Sequence, residues 1–335
     1  MASTKTPPPT SKKKPGRNKN KRIVITGISS HMGLMVAKRL HRVGDWDVVG
    51  IDRHETDGLP KDIEHLQVDL RSRRARDVFR QGEVVAVIHL GLVHNVRSRA
   101  EQLHQWNVLG TARLLEYCQE YKVPKVVILS SAEVYGPRAD NQQFLKEDAP
   151  LMGAMNYPQI RDLVEADMQA TAFFWRARES QTETVVLRPV HILGQIDNAA
   201  SNYLRLPRVP VVMGFDPMVQ VIHENDVMEA VCMAIKPGIH GVFNITGPGE
   251  VPLSVLLAEL RRPTYAVPGT LFEKVMKVLW KFRLSQFTVP ELHHLRYVGM
   301  VDGRRALEVM GFRPKYSLKE AVRAVEEHDD LVANR

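Results

Sequence analysis

The chain has 335 residues, 44% of them apolar and 25% charged, which is ordinary for a soluble globular protein with a full hydrophobic core. Its formal charge of +8 is accounted for by Lys5, Lys12, Lys13, Lys14, Arg17, Lys19, Lys21 and Arg22, a stretch without an acid, so the body is near neutral and is not that of a specific nucleic-acid binder. No apolar run approaches the ~18 residues of a membrane span and the basic N-terminus lacks a signal peptide's apolar segment, so a cytoplasmic protein without a transmembrane segment is expected.

Residues 1–21, rich in Pro, Lys, Ser and Thr, have the composition of a disordered basic tail, read either as merely solvated or as a weak contact for nucleic acid or anionic lipid. A short apolar strand, Arg22 to Thr26, then breaks into a small-residue turn that opens an amphipathic helix. Such a turn builds a pyrophosphate site: the N–H groups at the helix head, here His31 and Met32, point at the anion, and glycines allow close approach. Gly27 and Gly33 hold two of the glycine positions and Ser30 stands at the third. The second strand, Trp46 to Ile51, ends at Asp52, 25 residues after Gly27. A carboxylate there can bond both hydroxyls of an adenosine ribose and repel a 2′-phosphate, so NAD is expected over NADP. Arg53 beside it can soften that choice.

Further strands are expected at Val84 to Leu90, Lys125 to Ser130 and Thr184 to Leu187, with helical periodicity over Trp106 to Tyr121 and Ile160 to Arg178. This alternation predicts an α/β fold, a Rossmann-type doubly wound parallel sheet whose ligand lies beyond the strand C-termini. After Pro189 the regularity fades; Gln220 to Ile222, the helix Asn225 to Ile235 and the strand Val242 to Ile245 then return to it. The expected organisation is a tail at 1–21, an NAD-binding domain at 22–193 with 220–246 returning, and a smaller, mostly helical substrate lobe from 194–219 and 247–335. Within the lobe, Leu271 to Phe287 reads as a basic amphipathic helix that caps a core or lies on a membrane surface. Cys118 and Cys232 sit in apolar helical patterns and are expected as free thiols. The histidines lack metal-ligand spacing, so no metal site is expected.

Several motifs appear in a fixed order: Thr26-Gly27-x-x-Ser30-x-x-Gly33, Val68-Asp69-Leu70, Ile88-His89-Leu90-Gly91, Asn107 with Gly110-Thr111, Ser130-Ser131-Ala132-Glu133-Val134-Tyr135-Gly136, Leu187-Arg188-Pro189, His223 with Asn225-Asp226-Val227, and Phe243-Asn244 with Gly247. Together they resemble the extended short-chain dehydrogenase/reductase superfamily, the branch of NAD-dependent epimerases and dehydratases that holds UDP-glucose 4-epimerase. The resemblance implies NAD as cofactor, a sugar or nucleotide sugar as small-molecule substrate, and a homodimer through paired helices. It implies that Asp69 meets the adenine amino group, that Leu70, Leu90, Gly91, Asn107 and Pro189 adjoin the cofactor, and that Ser131 holds the reacting oxygen. Residue by residue, other roles are open. Asn107 and Asp226 can tie helices to neighbouring backbone, Arg188 can anchor the sheet end, and Ser131 can bond its own turn.

The family's chemistry uses a tyrosine that exchanges the proton of a substrate hydroxyl, helped by a lysine one helical turn on. A free tyrosine has a pKa near ~10, so its anion needs a nearby positive charge. The relevant helix here reads Asn156-Tyr157-Pro158-Gln159-Ile160-Arg161-Asp162-Leu163. In one register Tyr157 is the proton donor and Arg161 replaces the lysine, touching the nicotinamide ribose; arginine keeps the charge but relays no proton. In the other, Gln159 and Leu163 occupy the two positions and the dyad is absent. Val219-Gln220 stands where sugar-nucleotide epimerases carry a phosphate-binding arginine, and Ala132 precedes Glu133 where dehydratases carry an aspartate. The leading expectation is hydride transfer at a secondary alcohol with Ser131, Tyr157 and Arg161 as catalytic residues. The alternative is an NAD-binding sensor or assembly protein without turnover.

Overall fold

The computed structural model describes residues 21–93, 99–153, 158–177, 182–196, 204, 206, 208–271, 274, 278 and 293–333. Its first half runs β1 (Lys21–Thr26), α1 (His31–Val43), β2 (Asp47–Asp52), β3 (Glu64–Gln67), α2 (Arg73–Arg80), β4 (Glu83–His89), α3 (Ala100–His104), α4 (Gly110–Glu120) and β5 (Lys125–Leu129). Then come α5 (Pro158–Ala177), β6 (Glu183–Pro189), β7 (His191–Leu193), β8 (Val209–Val212), β9 (Met218–His223), α6 (Glu224–Ala234) and β10 (Gly241–Ile245). The chain closes with β11 (Glu250–Pro252), α7 (Leu253–Glu259), β12 (Thr264–Val267) and α8 (Leu318–Ala333).

Seven of these strands form one parallel sheet in the order β10-β6-β5-β4-β1-β2-β3. Alternation along a strand explains its two covered faces. Ile23 and Ile25 of β1 pack with Val36 and Leu40 of α1, whereas Val24 faces the opposite layer with Phe79 of α2 and Leu114 of α4. Chain order reverses at β1, which pairs Thr26 with Ile51 of β2 on one side and with His89 of β4 on the other. A crevice opens beyond the strand ends at such a switch point, and the cofactor motifs converge there.

The remaining strands form a three-stranded sheet, β11-β9-β7, and a parallel pair, β12-β8. With α7 and α8 they enclose a separate core that includes Leu193, Val219, Leu256 and Val325. Of the segment expected to return to the large sheet, β10 does so beside β6, but β9 pairs with β7 and β11 in the second sheet. Four of the five residues of β10 are apolar or glycine and suited to burial between layers, while β9 carries Gln220, whose amide holds the Val301 backbone of the lobe from both sides (2.8 and 3.1 Å). Residues 1–20 of the basic tail lie outside the described residues, as does the segment 271–287 apart from Leu271, Lys274 and Val278.

Candidate active site and cofactor cleft

The turn after β1 is shaped by a close approach. Gly27 has φ +76°, and a Cβ on it would stand 2.7 Å from the Cα of Gly91 at the end of β4, so only glycine serves there. Ser30, in place of a glycine, caps α1: its Oγ accepts from the Gly33 N–H (3.0 Å) and donates to the Gly27 carbonyl (2.7 Å). Of the N–H groups at the helix head, that of Gly33 is thus used, and His31 and Met32 supply the pair suited to an anion. The Met32 side chain is buried, and the His31 ring reaches toward Glu224 (3.4 Å).

Asp52 is fixed at the tip of β2 because its two carboxylate oxygens accept from the Ser29 N–H (3.1 Å) and the His54 N–H (3.0 Å). Arg53 next to it lays its guanidinium 3.6 Å from the centre of the Trp106 ring. Burial lowers the pKa of this arginine, with Asp52 and Asp69 acting against the shift. Asp69 is gripped by Arg71 through two side-chain bonds (2.9 and 2.7 Å) and the Arg71 N–H (2.8 Å), which hold its carboxyl below the usual carboxylate range. Gly27, Ser30, Asp52, Arg53, Asp69, Leu70, Leu90 and Gly91 line one open cleft, together with Trp106. Asn107 lies behind it, buried, where its amide brackets the Val93 backbone N–H (2.7 Å) and carbonyl (2.8 Å).

A second group of residues gathers where β5 and β6 end. Ser131 caps the short helical turn Ala132–Tyr135, its Oγ accepting from the Glu133 N–H (3.2 Å). That turn is anchored by a buried network. Arg188 donates to both oxygens of Asp167 (2.6 and 2.9 Å) and to the Tyr135 hydroxyl (2.7 Å), Tyr135 donates to Asn244 (2.8 Å), and Ser130 donates to Asp167 (2.6 Å). Burial works to lower the Arg188 pKa, but the bonds to Asp167 outweigh it and the guanidinium stays charged. Asp226 similarly receives the Lys315 and Tyr316 N–H groups (2.9 and 3.2 Å). Pro189 lines a smaller pocket with Ala132, Glu133, His191 and His294.

Tyr157 lies outside the described residues. Arg161 is described and stands on the outer side of its helix. Ile160, Leu163, Val164 and Asp167 form the buried face of α5, whereas the Arg161 side chain is 56% exposed and stands 3.6 Å from Asp162. Arg161 lines neither pocket; the inward position one turn before Asp167 is Leu163, packed in the same core as Leu90 and Val190. Among the described residues one trio of potential ligand atoms, on His104, Asp162 and Glu165, lies within 4.8 Å of one another, with the histidine already bonded to Asp162 (3.2 Å). Sequence reasoning missed Trp106 and His294. Trp106 adjoins the Asn107 motif and so carried a signal; His294 carried none beyond its adjacency to His293.

The family model described as the NAD dependent epimerase/dehydratase family matches residues 23–246, which include both pockets' sheet-end residues. The chain belongs to that family. A Mycobacterium tuberculosis protein described as Uncharacterized protein Rv0501 is 26% identical over 309 residues, covering 89% of this chain and 81% of its own. The UDP-glucose 4-epimerase of Bacillus subtilis is 31% identical over 157 residues, 43% of this chain and 45% of the epimerase. In fold, this family member is similar to MoeE5 in complex with UDP-glucuronic acid and NAD (TM-score 0.71, 22% identity, 93% of this chain and 99% of that one). It is equally similar to the Thermotoga maritima UDP-glucose 4-epimerase with UDP-glucose (TM-score 0.71, 18% identity, 93% and 99%). No helix among the described residues is long and apolar enough to cross a membrane.

Proposed function

We propose that the chain is an NAD-dependent oxidoreductase of epimerase or dehydratase type, acting by reversible hydride transfer at a secondary alcohol of a nucleotide sugar. The observation that carries this reading is the carboxylate of Asp52, fixed by two backbone N–H groups at the β2 tip beside the Gly27 turn and the head of α1. That arrangement fits a dinucleotide. The N–H groups of His31 and Met32, with Gly27, Ser30 and Gly33, would hold the pyrophosphate, and Asp52 the ribose hydroxyls. Arg53, Asp69 and Leu70 would wall the adenine, Leu90 and Gly91 would border the middle of the cofactor with Asn107 behind them, and Pro189 would border the nicotinamide end. Bound NAD supplies the hydride acceptor. Ser131 Oγ would hold the reacting oxygen and Tyr157 would exchange its proton. Arg161 supplies positive charge to that tyrosine, and touches the ribose, only by leaving Asp162. The nucleotide sugar is supported by UDP-glucose and UDP-glucuronic acid in the related complexes.

A second reading, NAD binding without turnover, is favoured by one observation: the buried face of α5 offers Leu163 and no cation. Fluorescence of enzyme-bound NADH, followed after adding UDP-hexoses to the NAD-loaded protein, separates the two. NADH is expected to appear in the wild type and to be lost in Tyr157→Phe. NAD binding without reduction across neutral and acidic UDP-sugars would establish the second reading instead. We also infer a homodimer, supported by the exposed apolar side chains of α5.

A further inference from the structure

One buried carboxylate behind the cofactor cleft joins three separate parts of the chain, and the hydride chemistry uses none of them. Strands β7 and β9 run in parallel and end together, Leu193 beside His223, so the next residue of each, Gly194 and Glu224, meet. Glu224 opens α6 and is buried. Its Oε2 accepts the Gln195 N–H at 2.6 Å, and its Oε1 stands 3.4 Å from Nε2 of His31 at the head of α1. The approach leaves no room for a side chain on the lobe side. Gly194 has φ +140°, and a Cβ there would collide with the Glu224 carboxylate.

A carboxylate is kept out of water only where its bonds offset the cost of burying it, so its partners are held as firmly as it is. Here the partners belong to different parts of the molecule. His31 carries one of the N–H groups offered to the pyrophosphate, whereas the Gly194-Gln195 backbone leaves the second sheet. Further along the same helices Arg39 of α1 faces Glu229 of α6 at 3.7 Å, so the two lie alongside each other beyond the head. An anion held at a helix head fixes the first turn of that helix, and with it the side chains that the turn carries.

We infer that Glu224 is a positioning residue that couples the cofactor to the second lobe. Pyrophosphate bound at the head of α1 fixes the His31 ring, the ring fixes the Glu224 carboxylate, and the carboxylate holds the Gly194-Gln195 turn after β7. Coupling of this kind is reciprocal, so whatever orders that turn also tightens the hold on the pyrophosphate. The inference rests on the pyrophosphate placement proposed above, whose own failure shows separately in the 27–33 turn.

Hydrogen exchange at the Gln195 amide of the full chain, with and without NAD, tests this, and slowed exchange in the 27–33 turn reports the pyrophosphate contact. In the wild type NAD is expected to slow exchange at Gln195 roughly three- to tenfold, the scale of one hydrogen bond, whereas adenosine, which lacks the pyrophosphate, leaves it unchanged. His31→Phe should remove the NAD effect at Gln195 while keeping it in the 27–33 turn, and His31→Gln should restore part of it. Glu224→Ala should speed exchange at Gln195 and abolish its response to NAD, while Glu224→Gln, which can still accept the N–H, keeps the amide protected. The two positions are read independently, so loss of NAD binding in one variant leaves the other to decide. A Gln195 amide that ignores NAD in the wild type, or still responds to it in His31→Phe or Glu224→Ala, would leave Glu224 a purely structural role and overturn the inference alone. NAD binding without protection of the 27–33 turn would overturn the placement beneath it, and the inference with it.

Discussion

Asp52 illustrates how much one side chain does at the cofactor end. Each carboxylate oxygen already accepts one backbone N–H, which fixes the group and leaves a second lone pair per oxygen for a diol. Arg53, the neighbour able to welcome a 2′-phosphate, is instead laid on Trp106 at 3.6 Å. Asp52→Ala is therefore expected to weaken NAD binding about 10- to 100-fold, the worth of hydrogen bonds to a charged group, and to narrow the preference for NAD over NADP. Calorimetric titration of both dinucleotides checks it; equal affinity of the wild-type protein for the two would sink the assignment. The same scale shows where residue-by-residue reading left roles open. Asn107, Asp226 and Arg188 each admitted a structural role, and each binds neighbouring backbone or a buried partner.

Among the elements, the parallel strands were legible because each is a run of apolar residues buried on both faces, and the helices because their apolar spacing follows one stripe. What escaped was short or polar. Strand β3, Glu-His-Leu-Gln, lies at the sheet edge with both end residues exposed, so no apolar run marks it. Helix α2, Arg-Arg-Ala-Arg-Asp-Val-Phe-Arg, buries only Ala75, Val78 and Phe79 in a charged sequence. The two registers of α5 could not be separated by spacing, since both place a tyrosine or glutamine near the helix start; burial distinguishes their second members, Leu163 inside and Arg161 outside. Strand β4 also carries a pH response. His89 at its end is fully buried, bonded to Thr26 of β1 (2.5 Å) and Thr111 of α4 (3.0 Å), and burial lowers its pKa to about 4 from an ordinary 6.5. The folded chain keeps this ring neutral where the unfolded chain protonates it. Its contribution is thus complete above pH 6.5 and is lost as pH falls toward 4, on the order of 3 kcal/mol in all. Denaturant unfolding at several pH values should show stability falling across that window, and His89→Gln should flatten the slope; an unchanged slope in the variant would remove His89 as its source.

At the scale of the whole molecule, the outward face of α5 links the odd placement of Arg161 to assembly. Arg161, Met168 and Trp175 recur every seventh residue, so they form one stripe along the helix. Met168 is 58% exposed and Trp175 59%, and Leu109, just before α4, is 47% exposed. Large apolar side chains gathered on one helix face favour a partner surface, and helices paired across a two-fold axis bring the same stripe from each copy together. In such a dimer Arg161, while it stays beside Asp162, lies at the margin of the subunit contact, and it serves the tyrosine and the ribose only by swinging away from that carboxylate. The wild-type protein is accordingly expected to sediment as a dimer, and Trp175→Glu with Met168→Glu to sediment as a monomer with NAD affinity retained, because neither residue lines the cofactor cleft. Arg161→Ala, measured alongside, should alter the dimer dissociation constant more than the affinity for NAD. A wild-type monomer in sedimentation velocity, or an Arg161→Ala variant that loses NAD and keeps its assembly, would return Arg161 to the catalytic role that its spacing from Tyr157 first suggested.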